Sequence, residues 1–243
     1  MCGHYGCEDT RQTLSLHQNV LDKNDHYAEH NRSMFQHLLV LNILSSPGAG
    51  KTTLIQRILH DVDLISGADP LNRPQGTVQP GVIVGDLATD RDAERLRQTD
   101  QPVIQINTGN LCHLEAKSVG KAAQQLELDN LNLLIIENVG NLVCPAVYDL
   151  GEDLRIVLMS VTEGEDKPLK YPTMFKSAHV VVITKIDIAD VVGFNLEEVL
   201  GYLRLIAPQA LVFELSAMTG EGLTKFYAYL NQSLFQRVAS TVV

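Results

Sequence analysis

Basic residues are the scarce class in this 243-residue sequence: 19 Lys and Arg stand against 29 Asp and Glu, a formal charge of −10. Affinity for phosphate backbones needs a Lys/Arg surface that releases counterions, so nucleic acid is excluded as a general partner. Long apolar runs are missing as well. No stretch approaches the ~18 residues of a membrane span, and the first 30 residues carry His, Asp, Asn and Glu in place of a basic start and an apolar run. The expectation is a cytoplasmic protein with no membrane partner. Cysteine is confined to four positions, Cys2, Cys7, Cys112 and Cys144. Without a secretion signal, disulfides are disfavoured and metal binding or catalysis gains as their role. No internal repeat or low-complexity segment is present. What remains is ordinary globular usage, 45% apolar and 20% charged, enough for one large α/β unit or two small ones.

Residues 1–37 differ from the rest: they are polar and hold five of the eight histidines, His4, His17, His26, His30 and His37. Leu14, Val20 and Leu21, then Tyr27, Met34 and Phe35, recur at loosely helical spacing, so 11–35 reads as one amphipathic helix or two docking on a neighbouring domain. From about residue 38, apolar runs bounded by Gly, Pro, Asn or Asp alternate with stretches of helical period. The runs are 37–44, 80–87, 102–107, 131–139, 154–161, 178–184 and 210–216; the helical stretches lie near 50–60, 90–98, 113–126, 194–206 and 222–238. Most runs are β-branched and continuous, as a parallel strand covered by helices on both faces requires. The predicted fold is α/β, a doubly wound, mostly parallel seven-stranded sheet with helices on both faces and ligands at the carboxyl ends of its strands, preceded by an N-terminal helical segment.

The first run ends in Ser45-Ser46-Pro47-Gly48-Ala49-Gly50-Lys51-Thr52-Thr53, directly before a helical pattern. Strand, glycine loop and helix in that order are what a phosphate loop demands. Gly48, Ala49 and Gly50 let backbone N–H groups close round a β-phosphate, Lys51 reaches the β/γ oxygens, the Thr52 hydroxyl ligates Mg²⁺, and Thr53 continues the helix N-terminus. Ser45 stands where the consensus has its first glycine. The sixth run ends Thr184-Lys185-Ile186-Asp187, close to Asn-Lys-x-Asp. A carboxylate at Asp187 accepts from both guanine N1–H and N2–H₂, a donor edge adenine lacks, while Lys185 lies along the base. Thr184 departs from the pattern, because a hydroxyl cannot replace an amide's donor and acceptor together. Ser216 and Ala217, after the last strand, resemble the segment whose backbone meets the guanine oxygen. The ligand implied is GTP or GDP, and the chain divides into a Cys/His tail (1–10), a helical segment (11–37) and a phosphate-loop GTPase domain (38–243).

Asp86 and Glu137 end the second and fourth runs, where a carboxylate holds Mg²⁺ directly or through water; with Lys51 they form the expected catalytic set. Gly140 is placed to sense the γ-phosphate. The alternative for Asp86 and Asp90 is helix N-capping, the favoured role for Asp90. No arginine finger or water-positioning residue stands out, so intrinsic turnover should be slow. Cys112-His113 follows the third strand and Cys144 the fourth, so the three can converge near the switch loops. Thiolate and imidazole suit Zn²⁺ or Ni²⁺, and a two-fold dimer would complete a site that three ligands leave open. A lone cysteine is usually a small buried hydrophobe, and the Cys-His spacing is not diagnostic by itself.

SSPGAGKTTL, GDLATDRDAER, TGNLCHLEA, ENVGNLVCPAVYDLGE, VTEGEDKPLKYP and TKID, with VLDKNDHYAEHNR in the leading helix, resemble the hydrogenase nickel-incorporation GTPases of the HypB family, related to the urease accessory GTPase. The resemblance spans essentially the whole chain. It implies a GTP-dependent homodimer that delivers Ni²⁺ to the [NiFe]-hydrogenase large-subunit precursor alongside other maturation factors. It further implies that Cys112, His113 and Cys144 form an interface site for Ni²⁺ or Zn²⁺, and that Glu163 to Pro172, with Lys167, belongs to that interface. Many members begin Cys-x-x-Cys-Gly-Cys. Here Cys2-Gly3-His4-Tyr5-Gly6-Cys7 has Tyr5 for the middle thiolate, leaving Cys2, His4 and Cys7 as a weaker nickel site or as incidental residues of a tail. Two readings compete with the nickel carrier: a regulatory GTPase whose cysteines are structural, and an ATP-dependent small-molecule kinase.

Overall fold

The computed structural model describes residues 7–66, 78–86 and 89–241, with side chains from residue 19 to 237 of these and at 239. Seven strands form one sheet: β1 (Leu39–Ser45), β2 (Pro80–Asp86), β3 (Val103–Asn107), β4 (Leu133–Glu137), β5 (Leu154–Ser160), β6 (Val180–Thr184) and β7 (Leu211–Leu215). Six fall within a run that the sequence marks, and β1 extends one residue past its run of 37–44, to Ser45. The order is β3-β2-β4-β1-β5-β6-β7 and every pairing is parallel, so "mostly parallel" becomes wholly parallel. The consequence for function is direct. All seven carboxyl ends share one rim, and the chain reverses its direction of winding beside β1.

Among the described residues ten α-helices precede, connect and follow the strands: α1 (Cys7–Met34), α2 (Lys51–His60), α3 (Val62–Ile65), α4 (Arg91–Arg97), α5 (Ala116–Ala123), α6 (Lys167–Lys170), α7 (Pro172–Lys176), α8 (Ala189–Val192), α9 (Leu196–Ile206) and α10 (Leu223–Thr241). The N-terminal segment is one helix, not two. α5 begins three residues into the predicted stretch 113–126, and α3, α6, α7 and α8 are too short to show a helical period in the sequence. On β1, Leu39, Leu41 and Ile43 face a core shared with α2, α4 and α10, while Val40 faces a second core shared with α5. Between Val40 and Leu44 on that second face sits Asn42, fully buried in the central strand. Helix α1 covers the same side, burying Asn24, Ala28 and Asn31, with Phe35 just beyond its end. His26 and His30 are exposed on its outer face. Among the described residues no helix is long and apolar enough to cross a membrane.

Candidate functional site

Every strand delivers part of the site to the shared rim. After β1, Gly48 and Gly50 hold φ of +78° and +100°, a region that favours glycine, and turn the backbone into the start of α2. The amide groups of that first turn, including Lys51, Thr52 and Thr53, therefore face the cradle. Lys51 is buried and its Nζ donates to Ser45 Oγ at 3.0 Å. Thus the residue that departs from consensus holds the lysine in place. Burial lowers the Lys51 pKa from its ordinary value, against the pull of Glu137, Asp92, Glu163 and Asp86.

The Thr52 hydroxyl donates to Glu137 Oε1 at 2.7 Å. Glu137 is 3% exposed, and its other oxygen, Oε2, is buried without a partner. Burial pushes its carboxyl up to about 7, with the Thr52 hydrogen bond and Lys51 opposing. A hard-oxygen pair with one orphaned carboxylate oxygen, at the foot of a phosphate cradle, fits a Mg²⁺ ion. Asp86, the other expected metal ligand, accepts from Thr89 Oγ1 at 2.7 Å, so its carboxylate serves its own loop in this structure. Asp90 occupies the N-cap position of α4, but its side chain makes no capping bond. Gly140 follows β4 so closely against the loop that an added Cβ would lie 3.1 Å from Pro47.

The segment after β5 also locks onto the cradle. Lys167 Nζ donates to Ser46 Oγ at 2.8 Å and pairs with Glu163 at 2.6 Å, and Ser46 in turn donates to Glu163. Lys167 is therefore tied to the phosphate loop of its own chain. On the base side, Thr184 is buried and donates to Ala49 O at 2.7 Å, and Lys185, at φ +61°, donates to Gly48 O at 2.8 Å. The hydroxyl thus ties this strand end to the phosphate loop at the position where the motif has an amide. Asp187 is exposed beside them, available to a ligand. Ser216 Oγ accepts from the Met218 and Thr219 amides at 3.2 Å, shaping the turn that includes Ala217.

Cys112, His113 and Cys144 converge as the strand order requires. Their donor atoms lie within 4.8 Å of one another, the group of this kind found among the described residues. The two sulfurs are 2.7 Å apart, a thiol hydrogen bond, and Cys112 Sγ is 3.8 Å from His113 Nδ1. His113 is buried and stacks on Tyr148 at 3.8 Å, and its Nε2 has no partner. Burial lowers the His113 pKa, which keeps the imidazole neutral, while the neighbouring Cys144 thiol raises that of Cys112. Two sulfurs and a neutral imidazole are soft to borderline donors suited to Ni²⁺ or Zn²⁺. Leu111, Val143 and Val147 stand exposed around them. Of the expected terminal site, Cys2 and His4, and the side chain of Cys7, lie outside the described residues.

Several polar residues of the site carry no linear signature. Asn138 Oδ1 accepts from the Leu114 amide beside His113, its Nδ2 donates to Asn42, and Asn42 donates to Glu152 at 3.0 Å. Glu152 receives Arg155 at 2.9 Å, and the Arg155 guanidinium donates to the Ala146 and Tyr148 carbonyls, also at 2.9 Å. This buried network holds both ligand-bearing loops. Its one sequence signal is Asn42, a lone amide inside an otherwise apolar run.

The family profile for the CobW/HypB/UreG nucleotide-binding domain matches residues 39–214. Among curated proteins, the chain is 43% identical to hydrogenase maturation factor HypB of Azotobacter chroococcum mcd 1, over 94% of this chain and 72% of that one. Among solved structures it is similar to HypB from Helicobacter pylori in complex with nickel, with a TM-score of 0.80 at 39% identity, covering 89% of this chain and 97% of that one. HypB from Archaeoglobus fulgidus gives a TM-score of 0.77 at 34% identity, covering 88% and 99%.

Proposed function

Since the chain belongs to the HypB family of hydrogenase maturation factors, we propose that it is a GTP-hydrolysing nickel metallochaperone acting in the cytoplasm. Gly48 to Thr53 bind the phosphates, Lys51 neutralises the β/γ oxygens, and Asp187, Lys185, Ser216 and Ala217 select guanine. Thr52, Glu137 and Asp86 would hold Mg²⁺, which supplies charge stabilisation on the transferring phosphoryl group. Water adds to the γ-phosphorus, the bond to the β–γ bridging oxygen breaks, and GDP and phosphate leave. Gly140 donates its N–H to the γ-phosphate and reports its loss to the loop that follows.

Nickel is cargo. Cys112, His113 and Cys144 hold Ni²⁺, or Zn²⁺ in its place, and three ligands leave the coordination open. A GTP-dependent homodimer covers the exposed Leu111, Val143 and Val147 and brings two triads together across its axis. GTP hydrolysis then loosens the grip, releasing the ion toward other maturation factors and the hydrogenase large-subunit precursor. One observation carries this reading: the stretch from Glu137 to Cys144 begins on the Thr52 hydroxyl and ends 2.7 Å from Cys112 Sγ, so one loop joins the phosphate cradle to the triad. Dialysis of the nickel-loaded protein tests it, with GTP addition expected to speed nickel release. Release indifferent to nucleotide would favour a regulatory GTPase with structural cysteines, and displacement of labelled nucleotide by ATP as well as GTP would favour a kinase.

A further inference from the structure

Helix α1 presents to the domain a stripe of Asn24, Ala28 and Asn31, continued by Phe35, all 6% exposed or less. Spacing of four, three and four is ordinary for a packing face. Amides at two of the four places are not, because a buried amide is tolerated only when its donors and acceptor are met. Both amides bond the same two segments of the domain. Asn24 Oδ1 accepts from the Ala116 amide at 2.9 Å and its Nδ2 donates to Asp149 O at 2.7 Å. Asn31 Nδ2 donates to Ala116 O at 2.8 Å and to Leu150 O at 2.9 Å. Ala116 is thus held at its N–H and its C=O, as a neighbouring strand would hold it.

Those two segments are the ones that carry the triad. Ala116 lies three residues after His113, and Asp149 and Leu150 follow Tyr148, whose ring stacks on His113 and whose segment begins at Cys144. Arg32 adds an ion pair to Asp149, and Gly151, at φ +90°, lets the α1 backbone approach so closely that a Cβ there would sit 2.8 Å from Ala28 O. We infer that α1 is a strap: Asn24 and Asn31 are positioning residues that fix the spacing between the His113 loop and the Cys144–Tyr148 loop, and so set how tightly the triad holds a soft divalent cation. This rests on the assignment of Cys112, His113 and Cys144 to the metal. Side chains that orient metal ligands from behind typically govern affinity by roughly 10–100-fold when removed.

The test is nickel titration of the full chain against a chromogenic chelator, with the thiolate-to-nickel charge-transfer absorption recorded, for wild type, Asn31→Ala, Gly120→Ala and Cys112→Ser. Gly120→Ala reaches Asn31 without touching the loops, since its new Cβ would lie 2.4 Å from Asn31 Oδ1 on a helix that tolerates alanine. Both strap variants should weaken the Cys112-dependent nickel binding about tenfold and shift its absorption band. Their affinity for fluorescent GDP should stay within about twofold, which a general loss of structure would not leave intact. Wild-type nickel affinity and an unshifted band in both variants would overturn the strap while leaving the metal site standing. Should Asn31→Ala fail to fold, Gly120→Ala alone decides. A wild-type nickel signal indifferent to Cys112→Ser overturns the metal assignment, and the strap with it.

Discussion

Around the phosphate loop, above β1, β5, β6 and the end of β4, the rim carries polar groups that already bond one another: Lys51 to Ser45, Thr52 to Glu137, Lys167 to Ser46, Thr184 to the Ala49 carbonyl. In the loops after β3 and β4 it carries the Cys112 thiol donating to the Cys144 sulfur and an imidazole nitrogen buried without a partner. The cradle is held from within, by residues that a nucleotide would rearrange. The loops of the triad are held from behind, by Asn138, Arg155 and the two asparagines of α1, and His113 Nε2 is left without a partner. A site for a charged, many-contact ligand can exchange one set of polar bonds for another at little net cost. A site for a single ion depends on donors that point at an empty centre, so its supporting shell matters more.

The sharpest way to break this contrast is Lys51→Ala. Loss of the close cation should cost about 3 kcal/mol, roughly a hundredfold in guanine-nucleotide affinity, read by fluorescent GDP titration, with nickel binding to the triad retained. Glu137 tests whether the cradle stores an unmet carboxylate. Its folded pKa of about 7 lies above its unfolded value near 4.5, so between those pH values the folded state keeps a proton the unfolded state has lost. Stability of the nucleotide-free, metal-free protein should therefore fall as pH rises from 4.5 to 7 and level off above, by on the order of 2–3 kcal/mol. Glu137→Gln should abolish that slope in urea denaturation at pH 5 and pH 8.

Cys144→Ser probes the other half. Nickel affinity should drop roughly thirtyfold, about 2 kcal/mol, in chelator competition while GDP affinity holds within about twofold. The smallest expected effect is at the base. Asp187→Asn removes a charge-assisted acceptor for about 1.5 kcal/mol, near tenfold in the preference for guanine over xanthine nucleotides, measured by competition.

The strands and the phosphate loop were legible because their information is contiguous. Val180–Thr184 is a β-branched run, and Ser45 to Thr53 is one unbroken stretch of sequence from the end of β1 to the first turn of α2. The triad was legible only through topology: residues 112, 113 and 144 have no linear rhythm, and they meet because β3 and β4 flank β2 in a parallel sheet. The contact Thr184 makes was not legible, since its hydroxyl reaches Ala49 O across 135 residues of chain. Asn24 and Asn31 were invisible, for on a helix of mostly polar sequence nothing distinguishes a buried amide from a solvated one. Ser46, Glu163 and Lys167 meet across more than a hundred residues of chain, and only the pairing of β1 with β5 brings them together.

The most direct test of a shared loop serving both ligands is nickel affinity measured in three states of the same protein: free of nucleotide, with GDP, and with a non-hydrolysable GTP analogue. The loop from Glu137 to Cys144 predicts a difference of at least about fivefold between the last two, and linkage demands that nickel change the analogue-to-GDP affinity ratio by the same factor. One nickel dissociation constant common to all three states would contradict it.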